Sequence, residues 1–215
     1  MSVVGVIAAG GSGERLGAEL PKAFVVVGGK PLYEWSFEVL RGVCDRVVVA
    51  APQSTVDSRQ STGFVLGGAS RSASVRNALA AAPEASVVVV HDAARPLVER
   101  DLVERCIAAL DGVEGAIAAA RVTDTVKEAG SDGRVVRTLD RSALWAVQTP
   151  QVFRADALRR ALDVDEAVLA AATDDASLVE AAGGAIVVVE APRENIKVTT
   201  QMDLRVAEAM LAARC

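Results

Sequence analysis

The 215 residues are poor in the side chains that most often carry redox, metal or base-stacking chemistry. Cys44, Cys106 and Cys215 are odd in number and far apart, with no C-x-x-C pair. That usage excludes a disulfide framework and a cysteine-based zinc site, and it fits a reducing cytoplasm. His91 is the only histidine; without a second His or a Cys beside it, its expected place is structural, not that of a metal ligand or general base. Four Phe, two Trp and one Tyr are too few for a platform that stacks single-stranded nucleic acid. A formal net charge of −5 argues further against a protein that lives on nucleic acid or on an anionic membrane. No apolar run approaches the ~20 residues needed to cross a bilayer, since Ala85–Val90 is only of strand length. The N-terminus opens Met-Ser-Val-Val without a basic n-region, and glycines interrupt its apolar stretch, so no secretory signal is expected and the expected location is cytoplasmic. Seventeen Gly and seven Pro are near the ordinary background, which excludes a disordered or low-complexity chain.

What is abundant is core material. With 51% hydrophobic residues, the chain is expected to form one domain over residues 1–215 that buries about 70–75% of its unfolded surface. Short Val/Ile/Ala runs predict strands at Val3–Ala8, Arg46–Ala51, Gly63–Leu66, Ser86–His91, Gly115–Ala120 and Ala185–Glu190. Helical patterns lie between them at Leu32–Arg41, Val56–Gln60, Ser72–Ala82, Glu99–Leu110, Asp156–Asp163, Ala176–Ala182 and Gln201–Ala213. Continuously apolar strands alternating with helices predict an α/β fold, a Rossmann-like, doubly wound and mostly parallel sheet covered on both faces. Val122–Asp140 breaks the rhythm with two short strands around Gly-Ser-Asp-Gly. Such a hairpin has little core of its own, so it is expected to be an arm that packs on a second copy of the chain.

Two segments carry chemistry. The first strand is followed by AAGGSGERLG at 8–17, whose three glycines in four residues let backbone amides close around an anion. Neither the P-loop pattern nor the dinucleotide fingerprint fits: no G-K-[ST] follows, and Leu16 stands where the fingerprint needs Gly. A nicotinamide oxidoreductase is thereby disfavoured. Two cations, Arg15 and Lys22, follow the loop, in a chain where only four of the 23 basic residues are lysine. The second segment is HDAARP at 91–96, at the carboxyl end of a strand. Asp92 there either caps the next turn or anchors a divalent cation, since Mg²⁺ needs only one or two carboxylates beside water and phosphate oxygens.

Taken together, the motifs resemble the 2-C-methyl-D-erythritol 4-phosphate cytidylyltransferases, a family of the non-mevalonate isoprenoid pathway. The resemblance rests on AAGGSGERLG with PKAF (8–17, 21–24), GGASRSASV (67–75), HDAARP (91–96), VTDTVK (122–127), DRSALWAVQTPQ (140–151), TDDASLVE (173–180) and NIKVTT (195–200), in the family's order. It implies a nucleotidyltransferase-type sheet, CTP and a polyol phosphate as substrates, Mg²⁺ as metal and a homodimer formed through the arm. Residue by residue, it implies that Arg15 and Lys22 stabilise the transition state, and that Ala9, Gly10, Gly11, Ser12 and Gly13 wrap the triphosphate. Asp92 is then the metal anchor, with Ala93 at the nucleotide and Gly68 and Ser74 at the cytosine edge. Arg141 and Lys197 would hold the acceptor phosphate, Thr149 and Thr173 would contact the acceptor hydroxyls, and Thr125 and Arg95 would reach a neighbouring subunit's site. In this chain Gly10 replaces the usual alanine, Ala8 the usual proline and Asp175 a usual Glu, while Ala69 stands where some members carry an acid.

The chemistry implied joins two anions: a phosphate oxygen attacks the α-phosphorus of CTP and pyrophosphate leaves. The nucleophile needs no deprotonation, so positioned cations suffice, in keeping with a chain of one histidine. Two other readings share the same motifs. A ribitol 5-phosphate cytidylyltransferase would differ only in its acceptor pocket, and a non-catalytic nucleotide-binding regulator would have no need of Arg15, Lys22, Asp92, Arg141 and Lys197 together.

Overall fold

A computed structural model describes residues 1–11, 20–56 and 63–214. Arg15, Ser12 and Gly13 of the glycine loop lie outside the described residues, as do Cys215 and most of the helix expected at Val56–Gln60. In chain order the strands are β1 (Val3–Ala8), β2 (Val26–Val27), β3 (Lys30–Pro31), β4 (Arg46–Ala51), β5 (Phe64–Leu66), β6 (Val87–Asp92), β7 (Gly115–Arg121), β8 (Lys127–Ala129), β9 (Val135–Thr138), β10 (Trp145–Arg154) and β11 (Ile186–Glu190). The helices are α1 (Leu32–Arg41), α2 (Gln53–Val56), α3 (Arg71–Ala80), α4 (Arg100–Ala108), α5 (Ala155–Leu162), α6 (Glu166–Ala171), α7 (Asp175–Ala181) and α8 (Gln201–Ala212).

Seven strands form one sheet in the order β11-β7-β10-β6-β1-β4-β5. All neighbours run parallel except β10, which is antiparallel to both β6 and β7. The expected mostly parallel, doubly wound sheet is therefore present. β10 is the element that the sequence pattern does not announce. Pro150 sits inside it, and proline removes a ladder donor and argues against a central strand. The chain accommodates it by shifting register between Val147 and Gln151, so the pairing is interrupted where the donor is missing.

The side-chain alternation of the strands supplies a core on each face. Ile7, Val49, Val87 and Val89 pack with Leu40, Leu102, Val103 and Cys106 on one side. Val6, Val48, Val88 and Val90 pack with Val75, Leu79, Leu158 and Val179 on the other. A smaller third cluster, with Leu32, Leu97, Val198 and Leu211, seats α8 against the opening of α1. No helix among the described residues is long and apolar enough to cross a membrane.

The chain passes from β1 to β4 and β5 on one side of the sheet, and then to β6 on the other side of β1. Between strands whose connections diverge in this way a crevice opens at the carboxyl ends. There Ala8 lies opposite Asp92, and Ala93 N–H donates to the Ala8 carbonyl at 3.2 Å. The two sequence segments singled out for chemistry thus meet at the edge where such folds bind ligands.

The hairpin expected at Val122–Asp140 is present as β8 and β9, paired Lys127 to Thr138 in a sheet of their own. Every residue of both strands is exposed, including Val135 and Val136. The first strand starts at Lys127, so Thr125 lies just ahead of it and not on it.

The sheet centre yields a stability test. Phe153 of β10 is fully buried between β6 and β7, so Phe153→Ala is expected to cost about 3–5 kcal/mol, the range for a large aromatic removed from a close-packed core. Urea unfolding of the purified variant measures it.

Candidate active site

β6 ends as His91-Asp92, and both side chains are buried. Asp92 N–H donates to the Thr149 hydroxyl at 3.1 Å, and that hydroxyl is 3.1 Å from His91 Nδ1. His91 Nε2 is 3.1 Å from the Arg95 carbonyl. A carbonyl can only accept, so Nε2 carries the proton and Nδ1 accepts from Thr149. Both ring nitrogens are thus occupied within the fold, and burial pushes the imidazole down to about 4. The lone histidine is structural, as expected from its isolation in the sequence.

Asp92 carries a cation on each oxygen. Arg71 Nε donates to Oδ1 at 2.8 Å, and Lys197 Nζ lies 2.7 Å from Oδ2. Burial alone would favour the neutral acid, but the guanidinium and the ammonium outweigh it and hold the carboxyl well below the usual range. Arg71 also donates from Nη1 to Asp175 Oδ2 at 2.5 Å. Burial works against its charge, yet Asp92 and Asp175 together raise it above the ordinary arginine value. Arg71 stands inside the GGASRSASV block, and the sequence reading does not single it out. The one available signal is that it is the sole cation in a Ser-rich stretch that opens a helix.

Local chemistry explains both cations. Ser70 caps α3, its hydroxyl accepting from Ala73 N–H at 3.1 Å, which sets Arg71 at the first helical position. Ser74 donates to the Ser70 carbonyl and accepts from Gly68 N–H at 3.0 Å, folding the 67–70 loop onto the helix. A Cβ on Gly68 would meet Ala73 at 2.5 Å, so only glycine fits that approach. Lys197 is placed by its neighbour: Val198 is buried in the third cluster, and its N–H donates to the Ala94 carbonyl at 2.8 Å.

These groups line an open cleft of about 500 Å³ together with Gly10, Gly11, Lys22 and Ala93. Lys22 N–H donates to the Gly11 carbonyl at 3.1 Å, which ties its short 3₁₀ turn to the glycine loop. Lys22, Arg71 and Lys197 line the cleft, where Asp92 is the one carboxylate among the described lining residues, in a chain of net charge −5. It is therefore a local basin for anions, reinforced by the amino end of α3.

Not every expected residue is arranged as the resemblance implied. Ala9, Gly68, Ser74, Asp92, Ala93 and Lys197 all line the cleft. However, the Ala9 amide is spent on the Ala50 carbonyl at 2.8 Å, so it is not available to a triphosphate. The Thr149 hydroxyl is likewise spent on Asp92 and His91 in a buried position, where it holds the metal-anchor candidate rather than facing an acceptor. Arg95, expected to reach a neighbouring subunit, is buried in its own chain and donates from Nη1 to the Asn195 carbonyl at 2.7 Å. Asn195 in turn donates to Gln148 and to the Thr149 carbonyl, so Arg95 belongs to the brace beneath the cleft. Arg141, Thr125 and Thr173 are exposed and do not line the cleft of their own chain. Arg141 donates from Nη1 to the Thr123 carbonyl at the root of the arm.

The buried imidazole makes stability depend on pH. Its folded value of about 4 lies below the ordinary value near 6.5, so its contribution is fully present above pH ~6.5 and is lost as pH falls toward 4. The wild type is expected to lose on the order of 3 kcal/mol from this group across that window. His91→Gln should lose less over the same interval, and urea midpoints at the two pH values read the difference. An unchanged pH slope in the variant would remove His91 from the account.

Comparison with known proteins places the whole chain in one family. The IspD family model, 2-C-methyl-D-erythritol 4-phosphate cytidylyltransferase, matches residues 3–213. A relative of that name from Frankia casuarinae is 46% identical over 99% of this chain and 82% of its own length. One from Parasynechococcus marenigrum is 42% identical over 97% of each. The crystal structure of the protein of that name from Thermus thermophilus superposes with a TM-score of 0.83 at 37% identity, covering 100% of both chains. The chain belongs to the 2-C-methyl-D-erythritol 4-phosphate cytidylyltransferase family.

Proposed function

We infer that this chain is a CTP-dependent cytidylyltransferase that forms 4-diphosphocytidyl-2-C-methyl-D-erythritol. The observation that carries the reaction chemistry is the carboxylate at the switch-point cleft with a cation on each oxygen. The acceptor's phosphate oxygen forms a bond to the α-phosphorus of CTP. The bond from that phosphorus to the β-bridging oxygen breaks, and pyrophosphate departs with the electron pair. No proton has to be removed from the nucleophile, so the chain's task is to hold two anions in line and to neutralise the charge that develops between them.

In this reading Gly10, Gly11 and the amino end of α3 receive the triphosphate and Gly68 with Ser74 borders the base. Lys22, with Arg15 of the same loop, meets the α-phosphate. Lys197 and Arg141 hold the acceptor phosphate, and Thr173 contacts an acceptor hydroxyl. For Mg²⁺ the donor set is a fair match. Among the described residues no cluster of three or more His, Cys, Asp or Glu exists to cage an ion, and one carboxylate completed by phosphate oxygens is an ordinary Mg²⁺ arrangement. Asp92 would hold it, and the ion would neutralise triphosphate charge. The arm supports a homodimer: its strands bury nothing in their own chain, and Thr125 and Arg141 stand at its root, away from their own cleft. A cytoplasmic location goes with this function and with the unpaired, buried Cys44 and Cys106.

Pyrophosphate release from CTP is the direct test, with methylerythritol phosphate and ribitol 5-phosphate offered in parallel; the first is expected to be used and the second to be poor. Lys22→Ala is expected to lower kcat by at least ~10²-fold, the scale for losing one transition-state charge contact. Replacing Glu128–Arg134 with a short turn is expected to give a monomer that binds CTP but turns over poorly. Light scattering, CTP binding and steady-state kinetics on one sample measure the three, and a monomer of full activity would contradict the shared-site reading.

A further inference from the structure

The two cations on Asp92 are fixed very differently. Arg71 is gripped twice, by Asp92 at 2.8 Å and by Asp175 at 2.5 Å, and Asp175 is fully buried as the first residue of α7. The preceding Asp174 caps that helix and accepts from Gln151 of β10 at 2.7 Å, which ties the anchor to the central sheet. Lys197 reaches Asp92 Oδ2 from a four-carbon stem that is 42% exposed, against 26% for Arg71, and among the described residues Asp92 is its one acidic partner.

The pair of half-buried Arg71 and buried Asp175 is not built as a stabilising device would be. Asp175 Oδ1 and Arg71 Nη2 are both buried without a hydrogen-bond partner among the described residues. Shutting Asp175 Oδ1 and Arg71 Nη2 from water without a partner is costly, and a well-packed apolar side chain in place of Asp175 would serve stability as well or better. What it secures is geometry, because Arg71 cannot swing without leaving Asp175 uncompensated.

We propose that Asp175 is a positioning residue that acts through Arg71 to give Asp92 one fixed and one exchangeable oxygen, with Lys197 as a placeholder cation on the exchangeable one. Asp92 would hold the divalent cation that accompanies CTP, which would supply charge neutralisation there; Lys197 would leave the carboxylate as the ion is held, and Arg71 would keep the carboxylate in orientation. The released ammonium is then available to the acceptor phosphate. One positive group is exchanged for another at the carboxylate, so the buried charge is compensated at each stage. This inference rests on the reading of Asp92 as the metal anchor.

Mn²⁺ serves as the probe, its affinity read by electron paramagnetic resonance on the full chain with CTP and without acceptor, so that no turnover occurs. Lys197→Met, at a half-exposed site where folding is not at risk, is expected to bind Mn²⁺ about threefold more tightly or better, having lost a competing charge, while transferring almost no cytidylyl group. Asp175→Asn is expected to weaken Mn²⁺ by about tenfold or more and to lower kcat with little change in the KM for CTP, as loss of a residue that orients a ligand does. Asp175→Glu is expected to recover part of both. Unchanged or weaker Mn²⁺ binding in Lys197→Met would overturn the exchange. Unchanged Mn²⁺ binding in a folded Asp175→Asn, or its loss without any recovery in Asp175→Glu, would overturn the positioning role. Asp92→Asn separates the two levels: if it binds Mn²⁺ as the wild type does, the metal-anchor reading fails and the inference falls with it.

Discussion

A carboxylate buried at the end of a parallel strand must be met by positive charge, and the rest of this cleft follows from how Asp92 is met. Ionised and nearly excluded from water, it would be too costly to keep alone. Arg71 reaches it from the first turn of α3, and Lys197 from the segment that leads into α8. Each of these has its own reason to be where it is: the Ser70 cap for one, the burial of Val198 for the other. Beneath the carboxylate, Thr149 and His91 fix the backbone, and Arg95 with Asn195 braces the strand and the segment against each other. A chain of net negative charge thereby presents a concave surface made of cations and amide ends, which suits two phosphorylated substrates.

Much of this was legible in the sequence, for physical reasons that differ by element. β1, β4 and β6 are buried on both faces and read as unbroken apolar runs, and α1 shows its boundaries because Pro31 and Gly42 bracket it. Cleft membership of Asp92 and Gly10 follows from topology, because strand ends at a switch point face one crevice. β10 was hidden by Pro150 and by the polar Gln148-Thr149 that precedes it, groups whose partners are distant in sequence. The same distance hid Arg71 and Asp175, which are 104 residues apart and meet only across the finished fold. Thr149 and Arg95 were recognised as motif positions, but motif membership does not say which way a side chain faces. The bonds they make place them under the cleft.

The hydrogen-bond network also decides what kind of catalyst this can be. The only histidine is neutral, buried and bonded at both nitrogens, so no imidazole is on hand as a general base. Cys44 and Cys106 are buried, and burial holds each thiol up at about 12, where it is a poor nucleophile. What the cleft does offer is charge held in place. That suits a reaction whose nucleophile arrives already ionised and whose barrier is the meeting of two anions.

These features call for direct transfer between the two substrates under positioned cations, with no covalent intermediate on the protein. The stereochemistry at the α-phosphorus tests it most directly, using CTP made chiral by sulfur at that phosphorus and methylerythritol phosphate as acceptor. A single in-line displacement predicts inversion of configuration in the product. Retention would mean two displacements through a protein-bound nucleotidyl group, and would contradict the account.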